Sequence, residues 1–157
     1  MALRPLTASK LLAAVLVLDG LLALGFGLAS WWAPMATFGT IVDIRGAGSP
    51  GLVLAALSSL SILYVVVGLA CWVAASLPPV YRRRLALVMA VNHAWAGAKG
   101  LHEVGQAWLI GNPWPDIAIH STLVVAYAVL VTWSRMQDGT HPALAAPAAM
   151  PGAAGKP

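Results

Sequence analysis

Charged residues make up only 9% of this 157-residue chain, against 60% hydrophobic ones. Soluble domains carry roughly 25% charge. The composition therefore excludes an ordinary water-soluble fold and points to one compact unit embedded in lipid. Cysteine is nearly absent. With Cys71 alone, neither a disulfide framework nor a CxxC redox pair is possible, which argues against the thiol-oxidising membrane enzymes built on four helices. No HExxH or comparable metal-ligand spacing is present. No internal repeat is visible. The net charge of +4 resembles a nucleic-acid signal only until its placement is considered.

What the chain does have is long apolar sequence. Four stretches reach the ~20 residues that a bilayer core requires: about 11–32, 51–77, 85–109 and 117–133. All are expected to be helices, because unpaired backbone polar groups are too costly in lipid and four spans cannot close a barrel. The predicted fold is all-α, a four-helix transmembrane bundle over 11–133. Residues 1–10 form a short N-terminus. The Ala/Pro/Gly-rich 134–157, which includes His141, is too simple in composition to bury a core and is expected to be a disordered tail.

The basic residues fix a direction. Arg4 and Lys10 precede span one, Arg82, Arg83 and Arg84 separate spans two and three, and Arg135 and Lys156 follow span four. Only Arg45 falls on the opposite side. By the positive-inside rule both termini are cytoplasmic, and with the charge so explained, nucleic acid is not an expected partner. Aromatic anchors agree: Trp31, Trp32, Trp108 and Trp114 fall near the outer interface, and Trp72, Tyr81 and Trp133 near the inner one. Span one exceeds the 7–15 apolar residues of a secretory signal and is interrupted by Asp19, so it is expected to remain as an uncleaved helix. In the outer loop, Arg45 and the glycines after it are expected to form a plain turn into span two.

Polar residues inside the spans carry the functional signal. On a helical wheel Asn92, Lys99, Glu103 and Gln106 of span three share one arc, flanked by Trp95 and His102, opposite the small residues Ala86, Ala90, Ala94, Gly97 and Ala98. Span three is therefore expected to be the most buried, with its polar arc facing the interior. His93 lies roughly 100° from that arc and is suited to packing against another helix. Span one offers Asp19, Ala23, Gly27 and Ser30 on one face, span two Ser58, Ser61, Tyr64, Gly68 and Cys71, and span four His120 and Tyr127. Ionisable groups inside a membrane face the bundle interior, so these stripes should converge.

Depth divides them into two layers, Asp19, Asn92, His93 and Tyr64 in the inner half and His102, Glu103, Gln106 and His120 near the outer surface. Asp19 and Lys99 each cost at least ~2.5 kcal/mol to bury and are expected to share one polar network.

With four short spans, "GLASWWAP" closing span one, "RGAGSPG" turning into span two and "YRRR" before a polar third span, the chain resembles the small bacterial DoxX-like membrane proteins and, among them, the BphX-like group. The resemblance covers about residues 10–133 and implies a four-helix bundle in a bacterial inner membrane. It supplies no catalytic motif.

Three functions compete. The first is a binding or accessory module for a small amphipathic, aromatic or quinone-like molecule. Its candidate site residues are Asp19, Tyr64, Asn92, His93, Lys99, Glu103, His120 and Tyr127. The second is a small proton-coupled transporter that titrates Asp19. The third is a membrane enzyme using His102, Glu103 and His120 as acid, base or metal ligands. The lipid bilayer is the expected surrounding, with a membrane-protein partner or a second copy as further candidates. No cofactor is indicated by any motif.

Overall fold

A computed structural model describes residues 7–139. It is all-helical, with no strand among the described residues. Helix α1 spans Ala8–Trp32, α2 Pro34–Phe38, α3 Pro50–Ser76, α4 Pro79–Glu103 and α5 Trp114–Gly139. Thr7 caps α1, its side chain accepting from the Lys10 amide. Proline stands in the first turn of α2, α3 and α4, where its missing N–H has no intrahelical partner to lose. Three helices, Ala8–Trp32, Pro50–Ser76 and Trp114–Asp138, are long and apolar enough to cross a membrane. Each is about 37–40 Å long at 1.5 Å per residue, which exceeds the ~30 Å hydrocarbon core. Their large side chains point outward, among them Leu21, Leu28, Leu52, Leu63, Val73, Val125 and Val129. This is the surface of a membrane protein.

The long helices pack as two pairs, α1 with α3 and α4 with α5, joined mainly through α1 and α5. Only Leu77 and Pro78 separate α3 from α4, yet these two touch little. In lipid there is no hydrophobic drive between helices, so close van der Waals approach must supply the cohesion. Gly20 and Gly68 provide it for the first pair. A β-carbon on Gly20 would lie 2.8 Å from the Gly68 carbonyl oxygen, and one on Gly68 the same 2.8 Å from the Gly20 carbonyl oxygen. The two backbones meet where no side chain fits.

One end of the bundle gathers the first and last described residues and the α3–α4 linker; we call it the terminal end. Here Leu12, Leu16, Ala74, Ala86 and Val131 are fully or almost fully buried and belong to one apolar core with Cys71, Met89, Leu123 and Tyr127. Arginines stitch its rim. Arg82 donates to the Ser9 carbonyl and hydroxyl and to the Leu77 carbonyl. Arg83 donates to Ser134 and pairs with Asp138.

The opposite, loop end is tied mainly by backbone hydrogen bonds, with Phe38 and Ile44 buried beneath them. Val42 and Leu109 form an isolated antiparallel bridge, the Asp43 amide donates to the Trp108 carbonyl and the Ile110 amide to the Ile41 carbonyl, both at 2.9 Å. The turn at Arg45 is an ordinary one: the Asp43 carboxylate accepts from the Gly46 amide, and Arg45 is exposed.

Two expected boundaries are corrected. Helix α4 begins at Pro79 and ends at Glu103, six residues earlier at each end than the apolar stretch 85–109. The three arginines thus ride on its first turns, and Gln106 lies in the following loop. Residues 134–139, assigned by composition to the tail, continue α5 because Ser134 and Asp138 engage Arg83. The remainder of that tail, 140–157, lies outside the described residues, as do 1–6.

Candidate intramembrane polar site

Asp19, near the middle of α1, is 3% exposed. A buried carboxylate must be met by donors, and three helices supply them. From α5 the Tyr127 hydroxyl donates to Oδ2 at 2.6 Å. From α4 the His93 Nε2 lies 2.9 Å from the same oxygen, and from α3 the Cys71 thiol reaches it at 4.0 Å. All three contacts go to Oδ2. With Asp19 ionised and acceptor-only, His93 must carry its proton on Nε2.

The chain of contacts continues. His93 Nδ1 stands 2.8 Å from His120 Nδ1, so one proton lies between the two rings whichever of them holds it. His120 Nε2 faces the Asp116 carboxylate, one helical turn away on α5, at 3.5 Å. The His93 ring stacks against Tyr127, with centroids 6.0 Å apart and planes 17° from parallel. Four ionisable groups therefore stand in series, from a buried carboxylate in the bundle interior to one whose side chain is 69% exposed.

Beside this series lies a cavity of about 350 Å³ between α1, α3, α4 and α5. Its polar wall is Asp19, Tyr64, Asn92, His93, His120 and Asp116; Phe26, Leu63, Val67 and Ile119 are among its apolar walls. Met89 and Leu123 are shared with the terminal-end core and form its floor. Tyr64 is held edge-on against Phe26, which in turn meets Phe38.

The inward stripes of α1, α3 and α5 do converge. Asp19, Gly27, Ser30, Ser61, Gly68, Cys71 and Tyr127 are buried, and His120 is half-buried. Helix α4 is the exception, and three expectations fall with it. It is not the most buried helix: its inward face is Ala86, Met89, His93 and Gly97. The arc of Asn92, Trp95, Lys99 and His102 is exposed, with Trp95 at 75%, although Asn92 still edges the cavity. The Asp19–Lys99 network is replaced by two separate pairs, Asp19 with His93 and Lys99 with Glu103.

The physical reason is that α4 can turn only one face to α5. The side bearing Ala86, Gly97 and Gly100 allows the closer approach: a β-carbon on Gly100 would lie 2.9 Å from the Ile117 side chain, while Ala94 and Ala98 of the small-residue arc are exposed. Lys99 also sits only four residues, ~6 Å of rise, from the end of α4, so its ammonium can extend past the helix end.

The two-layer division fails as well, because His120 meets His93 directly. His102, Glu103 and His120 do not assemble: among the described residues no group of three His, Cys, Asp or Glu side chains is placed to hold a metal ion. Two site members are absent from the candidate set. Cys71 is placed on the inward stripe of span two but given no role, and Asp116 goes unmarked, although its four-residue spacing from His120 carries the signal.

No family model, curated protein or solved structure matches the chain.

Proposed function

We propose that the chain is a four-span protein of a bacterial inner membrane, with both termini cytoplasmic, whose interior cavity binds a small amphipathic molecule of aromatic or quinone-like type. The cavity carries this reading. At about 350 Å³ it falls in the 300–1,000 Å³ range of small-molecule sites, and it joins apolar walls to a few convergent polar groups as such sites do. Tyr64, Asn92, His93 and His120 offer hydrogen bonds to carbonyl or hydroxyl oxygens, while Phe26 and Ile119 flank a flat ring. Four spans are supported by the 25-residue length of α4 and by its packing along α5. The orientation rests on the arginines at the terminal end, and the resemblance to DoxX-like proteins agrees with the whole.

Mass spectrometry of organic extracts from the purified protein tests the reading, together with titration by a short-chain benzoquinone. A stoichiometric copurified aromatic compound is expected, or saturable thermal stabilisation by the quinone that disappears in Ala23→Phe, which fills the cavity. Empty protein that no quinone or aromatic alcohol stabilises would overturn it.

A second reading, proton-coupled transport through Asp19, is favoured by the contrast between a sealed terminal end and a cavity on the loop-end side. Such a contrast is what one state of an alternating-access protein requires. Substrate movement in proteoliposomes that follows an imposed proton gradient would favour this second reading over simple binding.

A further inference from the structure

We infer that Asp116, His120 and His93 form a one-sided proton path joining the loop-end surface to the buried Asp19. The inference rests on the membrane reading of the bundle but not on the ligand, and its test uses no ligand.

The geometry has three parts. First, contact is continuous: 3.5 Å from Asp116 Oδ1 to His120 Nε2, 2.8 Å between the two Nδ1 atoms, and 2.9 Å from His93 Nε2 to Asp19 Oδ2. The outermost gap is an ion-pair separation that a small rotation of the exposed Asp116 closes. Second, each imidazole presents opposite nitrogens to its two neighbours. A ring can therefore accept a proton on one side and release another from the other side. Third, the far side of Asp19 is filled by apolar side chains. Leu12 and Leu16 on α1, Ala74 on α3, Ala86 on α4 and Val131 on α5 all lie toward the terminal end and are fully or almost fully buried.

The proton count balances. A proton arriving at His120 Nε2 from Asp116 or water releases the Nδ1 proton of His120 to His93 Nδ1. His93 then gives its Nε2 proton to Asp19. One proton enters at the surface, one arrives at the carboxylate, and both rings end in the opposite tautomer, which rotation or the reverse transfer resets. The groups facing this path are Asp19 from α1, Tyr64 and Cys71 from α3, His93 from α4, and Asp116, His120 and Tyr127 from α5. Neither tyrosine nor the thiol bridges the apolar core to the terminal end, and Lys99 and Glu103 neutralise each other on the outer face of α4.

The test is solid-state NMR of [15N]histidine protein inserted in one orientation, loop end outward, in sealed liposomes, with His102→Gln and His141→Gln to simplify the spectrum. Lowering the external pH from 8 to 5.5 with the interior held at 8 is expected to shift the imidazole signals of both His93 and His120. Lowering the internal pH alone is expected to shift neither. His120→Phe should slow the His93 response at least tenfold or abolish it. His120→Gln, which keeps a hydrogen-bonding side chain of similar length but cannot relay a proton, should do the same and serves if the phenylalanine variant does not fold. A His93 signal that follows the internal pH, or follows the external pH equally fast in His120→Gln, overturns the path.

Discussion

The two ends of the bundle are held together by different chemistry. At the terminal end the side chains do the work: an apolar core of Leu12, Leu16, Ala74, Ala86 and Val131, and arginines that reach across from α4 to α1 and α5. At the loop end, two connecting segments share main-chain hydrogen bonds above a cavity. The polar cluster at Asp19 sits on the boundary between them. A membrane protein gains nothing from apolar burial as such, so a packed, apolar half must serve cohesion, while the half left loose is free to admit water or a ligand.

The comparison is broken most severely at its boundary. Asp19→Leu leaves the Tyr127 hydroxyl and the His93 N–H facing methyl groups, and should destabilise the protein by about 3–5 kcal/mol, the cost of removing one partner of a buried polar pair. Asp19→Asn, which retains an acceptor, should lose much less. Unfolding in mixed SDS and mild detergent, followed by helicity, measures both; equal losses would mean that the cluster does not depend on an acceptor at this position.

Next in size is Gly68→Leu. Its side chain must displace backbone on α1, and overpacking of this kind costs about 1–3 kcal/mol, sometimes more. The same substitution at Gly25, whose β-carbon would meet nothing within 4 Å, should be nearly silent.

A smaller loss, on the order of 1.5 kcal/mol, is expected for Arg82→Met, since a half-buried guanidinium gives up hydrogen bonds to three acceptors. Asp43→Ala at the loop end removes one exposed hydrogen bond and should cost under about 1 kcal/mol. If the second change proved the larger, the assignment of strength to the terminal end would be reversed.

The smallest effect sharpens the picture most. Lys99→Met removes an exposed i,i+4 ion pair and should alter stability by no more than about 0.5 kcal/mol. Combined with Asp19→Asn the losses should add to within ~0.5 kcal/mol. A coupling energy well above that would reinstate a shared Asp19–Lys99 network.

The helices were legible in the sequence to different degrees. Spans one, two and four each carry a single polar or small stripe, and one stripe can face only inward; Asp19, Ser61, Gly68 and Tyr127 are buried as that logic requires. Span three carries two rival faces. Periodicity reports that both exist but contains no information about which one the neighbouring helix prefers; the close fit belongs to Gly100, where a β-carbon would lie 2.9 Å from Ile117. The span-three boundary slipped for a related reason. Hydropathy marks where lipid can begin, not where the helix begins, and Arg82–Arg84 are helical because Pro79 starts a turn before them. The link between His93 and His120 was hidden altogether, since the depth of a residue depends on helix boundaries that had been set several residues off.

The bridge between Val42 and Leu109 has a consequence for how this protein can change over evolutionary time. Its bonds, like those from Asp43 to Trp108 and from Ile110 to Ile41, are made by main-chain atoms that nearly every residue type possesses. Substitutions along 41–43 and 108–110 should therefore drift with little penalty, apart from proline where an amide donates and apart from neighbouring Gly111, where a β-carbon would lie 2.5 Å from the Thr40 carbonyl oxygen. Insertions and deletions are another matter. One added or missing residue would change which amides and carbonyls of the two segments face each other, and the bridge with its flanking bonds would be lost. The bridging segments 41–43 and 108–110 are thus constrained in their length and hardly in their spelling, whereas the terminal end is constrained the other way round.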